Sequence, residues 1–205
     1  MKSTIYRICI TVLIIITIAV VLPHGCGMKM SEVVRDNTAG INGSFEVVKS
    51  GLPVNWLIYS PATIPSGDYD LVIDTTEYKD GKQSLKFLVR NCSATGGWYS
   101  PGICNEYEAV PGETYNISFW IMNDGCEFFI RIGGVSAFDG QYETIVKSKE
   151  TIGTWKRLEY SYTMPVDRKF SRIRFEMNIL KPGSFWIDDI KIEGLNGKSV
   201  IPTAR

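Results

Sequence analysis

The sequence is short of the residues that most enzymes use for proton transfer and metal binding. Its 205 residues include one histidine, His24, and five cysteines, none of which form a Cys-x-x-Cys pair. Everything after His24 therefore lacks Ser-His-Asp and Cys-His catalysis and any catalytic metal held by histidine. Acid chemistry by carboxylates alone is not excluded by composition.

The chain also lacks an excess of charge of either sign. Its 22 Lys and Arg residues equal its 22 Asp and Glu residues, and neither sign forms a long block. A nucleic-acid-binding domain usually carries a basic patch or stripe. We therefore predict no nucleic-acid partner, and no disordered acidic tail.

Only one long apolar run is present, from Ile8 to Leu22, with Lys2 and Arg7 before it. This pattern is typical of a secretory signal, and the run is short for a transmembrane helix, which needs about 20 residues. Cys26 follows a glycine and is a candidate for lipidation. We interpret residues 1–26 as an apolar signal helix, either cleaved, lipidated or kept as an anchor. We therefore expect an extracellular or cell-surface protein that meets the membrane only through this segment.

Short alternating runs separated by Gly, Pro, Asn and Asp recur from residue 42 onward. Even spacing of such runs, without a helical stripe, predicts an all-β, two-sheet antiparallel sandwich. We expect one domain over residues 41–195, a polar tether over 27–40 and a C-terminal tail over 196–205.

The alternation also predicts a polar face opposite the core face of a sheet. If the strands that carry them are neighbours, this face holds five side chains of aromatic, charged or amide type: Arg90, Trp120, Arg131, Glu176 and Asn178. Aromatic rings can stack on sugars while the polar groups bond hydroxyls, so the face is a candidate glycan platform. The alternative is an ordinary solvated face or a network of salt bridges.

A loop between Cys92 and Cys104 carries Trp98 and Tyr99, and it could be closed by a disulfide in an oxidising compartment. Cys126 would then be free, although sequence alone does not decide the pairing. An exposed Trp-Tyr pair on a braced loop is a second candidate binding site. Phe138 and Tyr142 lie in a further candidate loop.

Two adjacent acids, Asp188 and Asp189, interrupt a run that otherwise reads as a strand. Asp188 has the same alternation phase as Ile190 and Ile192, so we expect it to point inward and to need a cation. Calcium takes oxygen ligands, and Glu46 at the start of the domain is a candidate second ligand. The alternative is a salt bridge or a turn cap.

In order along the chain, the segments "NGSFE", "LPVNW", "DGKQSLKF", "VPGETYNISFWI", "TWKRLEYSYTM" and "GSFWIDDIKIEG" resemble carbohydrate-binding module families 4, 9 and 22, over about residues 41 to 195. The resemblance implies a galactose-binding-like jelly roll with a structural calcium. Its ligands would be the carboxylates of Glu46 and Asp188 and the carbonyl groups of Ser44 and Lys82, with Asp80 nearby.

Such modules bind polysaccharides such as β-glucans or xylan without cleaving them. We therefore expect an exported, monomeric, non-catalytic module that binds a polysaccharide or a cell-surface glycan. A structural or adhesive surface protein on the same fold is the first alternative, and a polysaccharide lyase is the second.

Overall fold

The computed structural model describes residues 33–60, 64 and 67–201. These residues form two five-stranded antiparallel sheets and one two-stranded hairpin, which confirms the predicted all-β sandwich. The strands are β1 (Val48–Lys49), β2 (Leu52–Pro53), β3 (Leu57–Tyr59), β4 (Asp68–Asp74), β5 (Ser84–Asn91), β6 (Gly102–Glu108), β7 (Thr114–Asp124), β8 (Phe128–Val135), β9 (Gly140–Ser148), β10 (Ile152–Thr163), β11 (Arg172–Ile179) and β12 (Gly183–Gly194).

The two large sheets are called here the front sheet and the back sheet. The front sheet has the strand order β3-β6-β11-β8-β9, and the back sheet has the order β10-β7-β12-β5-β4. Apart from the β4-β5 and β8-β9 hairpins, neighbouring strands in each sheet come from distant parts of the chain, as in a jelly roll. The small β1-β2 hairpin stands apart from both large sheets.

The core lies between the sheets and is made by every second residue of the strands. In β11, Ile173, Phe175 and Met177 are fully buried, and in β7 Phe119 is buried opposite them. The rings of Phe119 and Phe175 meet edge to face with their centroids 5.7 Å apart, a favourable geometry for aromatic pairs. The alternate residues of β11 are therefore directed to the outer surface of the front sheet.

A β-bulge in β12 corrects the expected direction of Asp188. Asp188 pairs with Trp120 of β7, but Lys191, three residues later, pairs with Ser118, so β12 has one extra residue. Before the bulge, Asp188 therefore has the phase of the outward-facing Trp120, not that of Ile190. It is nevertheless fully buried, because the turn between β4 and β5 covers it.

The predicted disulfide between Cys92 and Cys104 is wrong, since both residues and Cys126 are free thiols. Cys104 lies in β6 and pairs in register with outward-facing residues of the front sheet, where its Sγ accepts the hydroxyl of Tyr59 at 3.3 Å. Cys92 follows β5 of the back sheet and packs against the core. Burial raises the pKa of the Cys104 thiol to about 12, so this sulfur is a poor nucleophile at neutral pH.

Residues on both sides of the predicted domain are held against it. The side chain of Asn55 accepts the amide of Asp36 at 2.9 Å and donates to the carbonyls of Asp36 and Gly40 at 2.7 and 2.8 Å. Residues 36–40, which belong to the predicted polar tether, are thus attached to the domain. At the other end, Val200 is buried and its amide donates to the carbonyl of Ile192 at 3.0 Å.

The predicted signal helix and Cys26 lie outside the described residues. Within residues 33–60, 64 and 67–201, no helix is long and apolar enough to span a membrane.

We predict that Asn55→Ala lowers the free energy of unfolding by about 3 kcal/mol, because three backbone groups lose their partner and Ala is strained at a φ of 66°. Chemical denaturation measures the loss. Asn196→Ala is the control, since its side chain caps only a local exposed turn and should cost less than about 0.5 kcal/mol. Equal losses would show that Asn55 does not fasten the N-terminal segment.

Candidate functional site

The outer surface of the front sheet carries a layer of paired charges. We call this layer the floor, and it consists of Glu106, Arg131, Arg172, Arg174 and Glu176. Because strand partners share a face, the register of β11 places Arg174 beside Glu106 of β6 and Gly133 of β8. One step along the strand, Glu176 lies beside Arg131 of β8. The central strand of the sheet therefore brings charges from three strands into contact.

Glu176 is the most deeply buried carboxylate of this floor. The Nε and Nη2 groups of Arg131 donate to one carboxylate oxygen at 2.9 and 2.7 Å, and the hydroxyl of Tyr59 donates to the other at 3.2 Å. A buried carboxylate is costly unless it is paired in this way. The pair also fixes the Arg131 guanidinium in one orientation.

Glu106 makes the second ion cluster. It is buried, and it accepts hydrogen bonds from Arg172 through one oxygen and from Arg174 through the other. The distance from Arg174 Nε to that oxygen is 3.0 Å. Two guanidinium groups thus share one carboxylate.

Trp98 lies at one side of the floor, where its ring forms a wall. Its ring packs on Tyr59 with centroids 4.9 Å apart and remains 40% exposed. The short 3₁₀ turn that carries it is held by Asn178, which accepts the Gly97 amide at 2.9 Å and donates to the carbonyls of Gly97 and Ser100. Asn178 is buried under this loop, so it positions Trp98 and does not face the floor. Tyr99 lies beside Trp98 in the same turn and is well exposed.

Tyr142 forms the opposite wall, and it lies in β9, not in a loop. Its ring covers the guanidinium of Arg131 at 4.5 Å and is 39% exposed. The ring can lie flat there because its strand partner is Gly133: a Cβ at that position would come within 2.5 Å of the Tyr142 ring. The Trp98 ring packs on β3 and Tyr142 lies in β9, and these are the two edge strands of the front sheet.

Arg90 and Trp120 do not belong to this face, which corrects the expected five-residue platform. Their strands, β5 and β7, lie in the back sheet, whereas Arg131, Glu176 and Asn178 lie in the front sheet. Arg90 pairs with Asp68 and Asp70 at the surface. The face of the Trp120 ring is covered by the ammonium group of Lys79 at 4.2 Å, which leaves less room for stacking.

The residues with the clearest role that sequence reasoning did not select are Glu106, Arg172 and Arg174. Alternation in β6 and β11 does assign all three to an outer face. Only the pairing of β6 with β11 shows that they meet.

The two acids expected to bind calcium converge on one turn. Asp188 accepts the amides of Lys79 and Asp80 at 2.7 and 2.9 Å, and Glu46 accepts the amides of Lys82 and Gln83 at 2.9 and 3.1 Å. Among the described residues, no three acidic, histidine or cysteine side chains form a cluster suited to a metal. The turn faces both carboxylates with amide N–H groups, which repel a cation, so this donor set fits calcium poorly.

Two opposing effects act on the pKa of Asp188 at this turn. Burial raises the pKa of its carboxyl to about 6, although the amides of Asp80, Lys79 and Asp189 oppose this by stabilising the carboxylate. Calcium, with the carbonyls of Ser44 and Lys82 as further ligands, stays a prediction from the family resemblance.

We predict that Asp188→Asn lowers the free energy of unfolding by about 2 kcal/mol in EDTA, because the amide NH₂ cannot accept from the backbone N–H groups that the carboxylate satisfies. Asp189→Asn is the matched control, because its carboxylate contacts Lys191, whose side chain is 49% exposed, and it should change stability by less than about 0.5 kcal/mol.

Calcium titration of the wild type and of Asp188→Asn tests the metal. A melting temperature that rises with calcium in the wild type, but not in Asp188→Asn, would support the predicted ion. If calcium leaves the melting temperature of the wild type unchanged, Asp188 stabilises the fold through its contacts with the backbone amides alone.

Comparison with solved structures shows the same architecture in other proteins. The CBM22-1 xylan-binding domain of Paenibacillus barcinonensis Xyn10C has a TM-score of 0.53 at 15% identity, covering 85% of this chain and 100% of that one. The C-terminal family 22 carbohydrate-binding module of Clostridium thermocellum Xyn10B has a TM-score of 0.53 at 16% identity, covering 80% and 98%.

A domain of tailspike protein 4 from bacteriophage CBA120 has a TM-score of 0.55 at 13% identity, covering 78% of this chain and 22% of that one. At such low identity these matches establish the fold only. No curated protein sequence matches the chain.

The sequence profile of the family described as carbohydrate binding domain matches residues 40–184, more than half of the chain. The match spans β1 to β11 and the start of β12, including every strand of the front sheet. The chain therefore belongs to the carbohydrate-binding domain family.

Proposed function

We propose that this protein is an exported, non-catalytic module that binds a polysaccharide across the outer face of the front sheet. The observation that carries the proposal is the placement of two exposed aromatic rings, Trp98 and Tyr142, on either side of an ion-paired polar floor. Membership of the family and the fold shared with xylan-binding modules favour xylan or a related β-linked polysaccharide.

The two kinds of group on this face would make complementary contacts. The exposed ring faces would stack on the C–H faces of sugar rings, which are apolar. The guanidinium of Arg131 would donate hydrogen bonds to hydroxyl groups through Nη1, the nitrogen that it does not direct to Glu176. Since the ion pair already holds this side chain, binding would cost little side-chain entropy.

The acids of the floor are poorly suited to catalysis. Glu106 and Glu176 are both buried and their carboxylate oxygens contact arginines, whereas a general acid must be within hydrogen-bond reach of the substrate atom that it protonates. This supports a binding role for the face.

Export is the second part of the proposal. It rests on the positively charged start and the apolar run of residues 8–22, and on the family's polysaccharide ligands, which lie outside cells. A signal that is retained or lipidated at Cys26 would place the module at the cell surface.

We predict that Trp98→Ala and Tyr142→Ala each weaken polysaccharide binding by about 30-fold, since truncating an aromatic anchor costs about 2 kcal/mol. Isothermal titration calorimetry of the wild type against xylan, mixed-linkage β-glucan and mannan would supply the reference affinity.

Trp120→Ala is the control, because this tryptophan lies on the back sheet under Lys79. Binding lost in Trp120→Ala and kept in the other two would move the site to the back sheet. A folded wild type that binds no polysaccharide would favour the alternative, a surface adhesion protein on the same fold.

A further inference from the structure

We propose that the ligand of this face is an acidic polysaccharide, whose carboxylate or sulfate groups contact the arginines of the floor. The inference rests on the proposed function, since it names the chemical class of glycan that the same face would take. It comes from the way positive and negative groups are layered on the front sheet.

The negative groups of the floor lie beneath the positive ones. The carboxylates of Glu176 and Glu106 keep only 1% and 7% of their side-chain surface exposed. The arginines that pair with them, Arg131, Arg174 and Arg172, keep 30%, 23% and 15% exposed. A ligand that approaches from solvent therefore meets guanidinium groups first.

The count of charges agrees with this layering. Three arginines share two buried carboxylates, because Glu106 serves both Arg172 and Arg174. At the margins of the face, the register adds Lys147, opposite Phe129, and the exposed Glu108, opposite Arg172. Among the residues that the structure describes on this face, four positive groups thus accompany three negative ones, and the surplus is positive at the surface of the floor.

The arginines also have donors left for an anion. Within the part of the chain that the structure describes, Arg172 donates to Glu106 through Nη1, and Arg131 donates to Glu176 through Nε and Nη2, which leaves its Nη1 for another acceptor. Guanidinium groups bind carboxylates and sulfate-like anions through such paired N–H groups. A uronic acid carboxylate and a sulfate ester offer the same acceptor chemistry.

The test compares polymers that share one backbone. Glucuronoxylan, the same polymer after chemical reduction of its carboxyl groups, and a sulfated xylan are titrated into the full protein at low and at physiological salt. We expect glucuronoxylan to bind about tenfold more tightly than its reduced form, with the difference shrinking as salt rises.

Arg172→Gln removes the surplus charge while Glu106 keeps Arg174 as a partner, and it should lower the preference for the acidic polymer by about threefold. Arg157→Gln, on the back sheet, is the matched control and should leave the preference unchanged. Arg131→Gln with Glu176→Gln removes a whole ion pair without leaving a buried charge, and it should also lower the preference.

Each outcome separates the two proposals. Equal binding of glucuronoxylan and its reduced form would overturn the acidic ligand and leave polysaccharide binding intact. Binding of neither polymer, together with no binding of mixed-linkage β-glucan or mannan by the folded protein, would overturn both. Tighter binding of the sulfated xylan than of glucuronoxylan would support the anion site and identify sulfate as its source.

Discussion

The two-residue repeat of β11 is the constraint on which the rest of the structure depends. One side of this strand places Ile173 and Phe175 in the core, and the other side places Arg174 and Glu176 on the floor of the candidate site. A shift of the strand by one residue would exchange the two sets, which would bury charges and expose the core. Selection for a stable core and selection for a binding surface therefore act on the same register.

Pairing of buried charge links stability to function in the front sheet. Carboxylates buried as deeply as those of Glu106 and Glu176 are costly unless they are paired, and the arginines that pair with them are held in place in turn. A face built in this way is stiff before any ligand arrives. The loop that carries Trp98 is fixed in the same manner, through the amide of Asn178.

Local pattern predicted much of the fold but not the assembly of the site. Alternation and turn residues were enough for a two-sheet sandwich, and they placed Arg131 and Glu176 on an outer face. They could not separate these two from Arg90 and Trp120, because alternation says which side of its own sheet a residue occupies and nothing about which sheet that is. Sheet membership depends on pairing between distant strands. The Cys92–Cys104 prediction failed for the same reason, because Cys92 follows a strand of the back sheet and Cys104 lies in the front sheet.

The bulge at Asp188 and Asp189 has a consequence for the evolution of the last strand. Phe185 and Ile187 reach the core from odd positions and Ile190 and Ile192 from even ones, and the extra residue between them reconciles the two sets. Loss of one residue there would rotate one set to the solvent, whereas most substitutions would leave both sets inward. In this short segment, length is therefore more tightly constrained than composition, and related chains should differ at this position by exchange and not by deletion.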